Sequence, residues 1–107
     1  MYKQPRQGDV LLDRVEALPA DAKKIEGKVL AHGETTGHMH AVKTSELFRG
    51  QSVKVAGQEA VFVVVPEEGD FLTHQKHADV ELLPGVYEYT HQREMDYFAG
   101  VSREVYD

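Results

Sequence analysis

The chain has 107 residues, 41% of them hydrophobic and 28% charged, a length and composition that predict one globular domain over 1–107 and exclude a disordered chain. Its 18 acidic and 12 basic side chains give a formal charge of −6, which argues against a nucleic-acid partner held through its phosphates, since that needs clustered Lys and Arg. No cysteine is present, so disulfides and thiolate sites are excluded, and a reducing cytoplasm is the expected location.

The first residues, Met1-Tyr2-Lys3-Gln4-Pro5-Arg6-Gln7, lack the apolar stretch of a signal peptide. Gly8-Asp9 is a turn signal, and Val10 to Val15 is predicted as the first strand. Leu18 to Lys24 reads as a connection with room for one helical turn after Pro19. Lys28 to His32 and His38 to Lys43 read as strands joined by the glycine-bounded loop 33–37, which has hairpin length. Glu46 to Val55 alternates more weakly and is expected to break at Gly50. After a turn at 56–59, Ala60 to Val65 is a β-branched apolar run, expected to be a strand buried on both faces and too short to cross a bilayer. Pro66 to Asp70 turns the chain again. Phe71 to His74, Val80 to Leu83 and Val86 to Gln92 complete the strands, with Pro84-Gly85 between the last two.

About eight short strands at roughly ten-residue spacing predict an all-β fold, a single small antiparallel barrel or sandwich. Over 95–107, Tyr97, Phe98, Val101 and Val105 recur at helical steps. This predicts either a short C-terminal helix, weakened by Gly100, or an arm that packs on a second subunit.

The histidines carry the chemistry. Four of the six form two close pairs, His38-Met39-His40 and His74-Gln75-Lys76-His77, and His32 precedes the first pair. Imidazole is the commonest protein ligand for metals and titrates near neutral pH. On a strand, residues two apart share a face, so His38 and His40 project side by side. A simple hairpin at 33–37 sets His32 opposite His38 and Leu30 opposite His40. One face then carries Lys28, Leu30, His32, His38, His40 and Val42. The other carries Val29, Ala31, Met39 and Ala41, wholly apolar and expected to face the core, a pattern that opposes a one-residue slip. His74 and His77 fall where a strand gives way to the polar turn 75–79, and three-residue spacing there lets two rings converge on one ion.

Candidate ligands for a divalent metal are therefore His32, His38, His40, His74 and His77, with zinc, Fe, Mn, Ni or Cu all compatible with imidazole donors. Glu34, in the hairpin loop, is the candidate general base or additional ligand. Three ligands with an open position suit catalysis through an activated water, and four suit a structural role. The competing readings are a metal-free histidine cluster and unconnected surface histidines. His91 alternates with Tyr87 and Tyr89 and is read as packing; Arg93 beside it is read as a surface ion pair. No serine is flanked by glycines as in a nucleophile elbow, and Gly33 and Gly37 lack the lysine and helix of a phosphate loop.

Gln7-Gly8-Asp9-Val10-Leu11-Leu12, the run His32 to Ala41, His74 to His77, Leu83-Pro84-Gly85-Val86-Tyr87 and Gln92-Arg93-Glu94 resemble, in order and over most of the chain, a small bacterial and phage family of uncharacterised proteins. That resemblance implies one fold across these segments and brings no activity. Gly33, His38, His40 and Glu46 also resemble the first cupin motif, and Pro84-Gly85 followed by His91 the second, with Glu46 and His91 displaced from that pattern. This resemblance implies a metal site in a cupin-like β-barrel. Three functions follow as expectations. The first is a metal-dependent enzyme acting on a small molecule. The second is a non-enzymatic phage or bacterial accessory protein that works as a homo-oligomer, its strand edges covered by another subunit. The third is a pH-sensitive interaction module built on clustered imidazoles.

Overall fold

Two antiparallel sheets face each other across a shared apolar layer. The computed structural model describes residues 4–32 and 37–91. The loop bearing Glu34, and the 95–107 segment read as a helix or arm, lie outside the described residues. Among those, ten strands follow one another: β1 (Arg6–Gln7), β2 (Val10–Val15), β3 (Lys23–Ile25), β4 (Val29–His32), β5 (Met39–Val42), β6 (Glu46–Gln51), β7 (Glu59–Val65), β8 (Asp70–Thr73), β9 (Val80–Leu82) and β10 (Gly85–His91). The large sheet has the order β1-β2-β10-β7-β6-β3, and the small sheet β4-β5-β8-β9. Both are open at their edges, so the architecture is a sandwich and not the closed barrel that was the alternative expectation.

The interior follows from strand alternation. Val10 and Leu12 of β2, Leu47 of β6, Val63 and Val65 of β7 and Tyr87 of β10 pack against Leu30, Val42, Leu72 and Leu82 of the small sheet. The apolar run at 60–65 buries Phe62, Val63 and Val65, on both faces of the strand, and leaves Ala60, Val61 and Val64 half-buried. Val63 faces the core, while Phe62 is fully buried in the row Asp13–Glu88–Phe62–Phe48 on the other side of the sheet. That side is covered locally by the connection after β6. Glu88, itself buried, accepts from the Ser52 hydroxyl and the Val53 N–H, and Lys54 pairs with Asp13.

Three local expectations are corrected. Lys23–Ile25 is an edge strand on β6, where a connection with a helical turn was expected. β6 runs unbroken through Gly50, which pairs with Ala60. A side chain at Gly50 would meet Pro19 and Ala22, so the glycine admits the 19–22 connection against the strand and does not interrupt it.

The third correction bears on the site. The β4–β5 pair has Val29 opposite Ala41, Ala31 opposite His40 and His32 opposite Met39, with a bulge between Val29 and Ala31. The inward residues are Leu30, His40 and Val42, whereas Val29 is 41% exposed. Of the residues expected to face the core, Val29 therefore lies outward, and Met39 and Ala41 alternate with the buried His40 and Val42, while Ala31 pairs with His40 and packs on the core; of the histidine face, His40 lies inward and His32 is exposed. The extra residue of the bulge changes the register, as bulges do. The buried imidazole is tolerated because a polar partner awaits it from the other sheet.

Candidate functional site

That partner is Gln7, at the end of β1. His40 is 2% exposed, and a buried imidazole needs its ring nitrogens satisfied. The Gln7 Nε2 donates to the backbone carbonyls of Leu72 and Ala78, each at 2.9 Å. With the amide NH₂ committed to two carbonyls, its Oε1 must face His40, and it stands 2.9 Å from Nδ1. An amide oxygen only accepts, so His40 Nδ1 donates. The neutral ring then carries its proton on Nδ1 and its lone pair on Nε2. One side chain of the large sheet thus reaches β5, β8 and the β8–β9 connection of the small sheet.

The two histidine pairs meet around His74. The His74 ring centroid is 4.4 Å from that of His40, 4.6 Å from His77 and 5.5 Å from His38. His40 and His77 lie nearly parallel at 6.1 Å. Local hydrogen bonds shape the β8–β9 connection that brings this about. His74 Nδ1 accepts from the Lys76 N–H at 2.9 Å, and Gln75 Oε1 accepts from the Met39 N–H at 2.8 Å, which ties the turn to β5. The β1–β2 turn closes over the same place. Gly8 has φ +61°, and a Cβ there would lie 2.9 Å from His77 Nε2 and 3.4 Å from His40 Cε1. Glycine supplies both the left-handed backbone and the space for the rings.

Desolvation, followed by the charges of His77 and His38, holds the His74 pKa below its ordinary 6.5, while Asp9 pulls it the other way. Neutral imidazole is the form that ligates metals. As they lie, the rings contact one another. Among the described residues no three His, Asp or Glu side chains are placed to hold a metal ion.

Of the residues singled out from the sequence, the structure brings His38, His40, His74 and His77 together. His32 ends β4, exposed and paired with Met39, and strand alternation turns it to the face away from His40. Glu34 is outside the described residues. Sequence reasoning passed over Gln7, Gly8, Asp9 and Gln75. The signal that was present is the Gln7-Gly8-Asp9 run, which reads locally as a polar turn and reveals its partners only once the sheets close.

A family model described as a domain of unknown function, DUF8820, matches residues 6–92. The chain belongs to the DUF8820 family. The matched segment contains Gln7, Gly8 and all four clustered histidines. No curated protein and no solved structure matches the chain. Among the described residues of this DUF8820 domain, no helix is long and apolar enough to cross a membrane.

Proposed function

We propose that His38, His40, His74 and His77 bind a divalent transition metal, zinc foremost, at the end of the sandwich where the β1–β2 turn meets the β8–β9 connection. The observation that carries this reading is the meeting of four imidazoles, two from β5 and its approach and two from a connection more than thirty residues later, around the His74 ring, with the proton of the neighbouring His40 ring placed by Gln7. An all-imidazole donor set suits zinc, nickel, copper and iron better than magnesium or calcium, which prefer oxygen. The His74 Nδ1 bond to the Lys76 N–H leaves the proton of the neutral ring on Nε2. His74 therefore joins an ion by releasing that bond and turning its ring. His77 is exposed and has room to turn as well. A divalent ion held here supplies Lewis-acid chemistry at any open position, and a small molecule is the substrate class such a position takes.

Calorimetric titration of tag-free protein with zinc tests the proposal. Saturable binding is expected at one ion per chain, with His40→Ala and the double variant H74A/H77A each weakening it by more than tenfold. H32A is expected to bind as the parent does. An absence of saturable binding by zinc, nickel, cobalt and copper ions alike would remove the proposal.

A further inference from the structure

We infer that Gln7 is a positioning residue for the proposed metal site, holding His40 in the tautomer that presents Nε2 as the donor atom. The inference rests on the metal reading for its affinity consequence, but its structural half stands on its own. In solution neutral histidine can place its proton on either ring nitrogen, and the choice is set by whatever hydrogen-bonds the other one. Here the choice is made by the polarity of one amide. If the Gln7 amide were reversed, its oxygen would face the carbonyls of Leu72 and Ala78 and its NH₂ would face His40 Nδ1. Two acceptors would then confront a third, in a place where Gln7 is 3% exposed and water is excluded.

The arrangement has the logic of an outer-shell partner in a metal site. Such a partner accepts the N–H of a ligating imidazole, fixes the ring's orientation and raises its basicity, and its loss costs about 10- to 100-fold in metal affinity. Carboxylates and backbone carbonyls fill that role most often; here a side-chain amide does. The amide brings no charge into the sandwich, and its own NH₂ is used to hold β8 and the His77-bearing connection in place. Gln7 therefore sets the chemistry of one ligand, and its two donated bonds add to the stability of the closed sandwich.

Two variants separate these duties. Gln7→Leu removes the acceptor and both donors. Gln7→Glu keeps an acceptor at His40 Nδ1 but turns an oxygen toward the Leu72 and Ala78 carbonyls. Nitrogen NMR of the imidazoles reads the tautomer directly, without metal. The wild type is expected to show His40 protonated at Nδ1; Q7L is expected to shift the population toward Nε2–H and to weaken zinc binding about 10- to 100-fold. Q7E is expected to lose thermal stability yet keep the Nδ1–H tautomer and hold zinc within a few-fold of the wild type. A wild-type His40 protonated at Nε2 would overturn the inference, as would Q7E losing affinity as fully as Q7L, which is the signature of a purely structural role. If the wild type carries the Nδ1–H tautomer and Q7L abolishes it, but neither binds zinc, the positioning role stands and the metal proposal falls.

Discussion

Asp70 shows how a single buried residue makes stability depend on pH. It opens β8, 5% exposed, and its carboxylate accepts from the N–H groups of Lys43, Thr44, Ser45 and Phe71 and from the Ser45 hydroxyl. Burial alone would raise its pKa. The Ser45 hydroxyl and the N–H groups of Phe71, Ser45 and Thr44 outweigh that and hold the carboxyl below its ordinary 3.8. A depressed carboxylate stabilises the fold fully above the unfolded value near 3.8, and this contribution is lost as pH falls through the lower folded value. Asp70→Asn keeps the shape but replaces one acceptor oxygen by a donor that faces donors. It is expected to cost about 2–3 kcal/mol at neutral pH, the scale of a lost charged hydrogen bond with its partners left buried. Urea midpoints measured for both proteins from pH 7 down to pH 2 check this. The gap between them should narrow below pH 4, and a gap constant across the range would show that Asp70 ionisation is not linked to folding.

At the scale of elements, most of the strands can be read from local chemistry, while their faces depend on distant partners. The apolar β-branched run of β7 and the turn signals at Pro66 and Pro84-Gly85 mark their strands without help from the rest of the chain. β1 and β3 escape notice because a two-residue strand and a Lys-Lys edge carry no apolar alternation. The β4–β5 pair fails more instructively. Val29, Ala31, Met39 and Ala41 make a better apolar stripe than Leu30, His40 and Val42, yet the second set is the buried one, and of the first only Ala31 packs on the core. What decides is the bulge at Leu30 together with the Gln7 amide, thirty-three residues from His40, and neither is visible in periodicity. The proximity of the histidine pairs was legible from spacing for the same reason that Gln7 was not: histidine announces chemistry, and glutamine beside a turn announces solvent. Gly50 repeats the lesson within β6. A Cβ there would stand 2.9 Å from Pro19 Cγ and 3.1 Å from Ala22 Cα. Gly50→Ala gains about 0.4–1 kcal/mol from a stiffer unfolded chain but presses the new methyl against the Pro19 ring and the Ala22 backbone, a strain of about 1–3 kcal/mol. The clash is expected to win, lowering the urea midpoint, whereas a midpoint equal to or above the parent's would mean the 19–22 connection gives way freely.

For the whole molecule, the candidate site couples the two sheets. Its imidazoles all belong to the small sheet and its connections, while Gln7 and Gly8 belong to the strand and turn at one edge of the large sheet. An ion bound only by the folded chain stabilises it by RT ln(1 + [L]/Kd), about 2.7 kcal/mol when free zinc is a hundred times Kd. For a domain of this size that corresponds to a rise of roughly 10 °C in Tm. If the sandwich unfolds as one cooperative unit, the rise must be the same for a probe in either sheet. Tyr87 is fully buried in the core on β10, so the difference in near-ultraviolet circular dichroism between the parent and Tyr87→Phe isolates a signal from the large sheet. Backbone hydrogen exchange over 39–42 and 70–82 reports the small sheet. Zinc is expected to raise the Tyr87 transition and the far-ultraviolet transition equally and to slow exchange in both sheets, and chelation should reverse each effect. Slower exchange confined to the small sheet, with the Tyr87 transition unmoved, would show that the Gln7 bridge does not carry the binding energy across the sandwich.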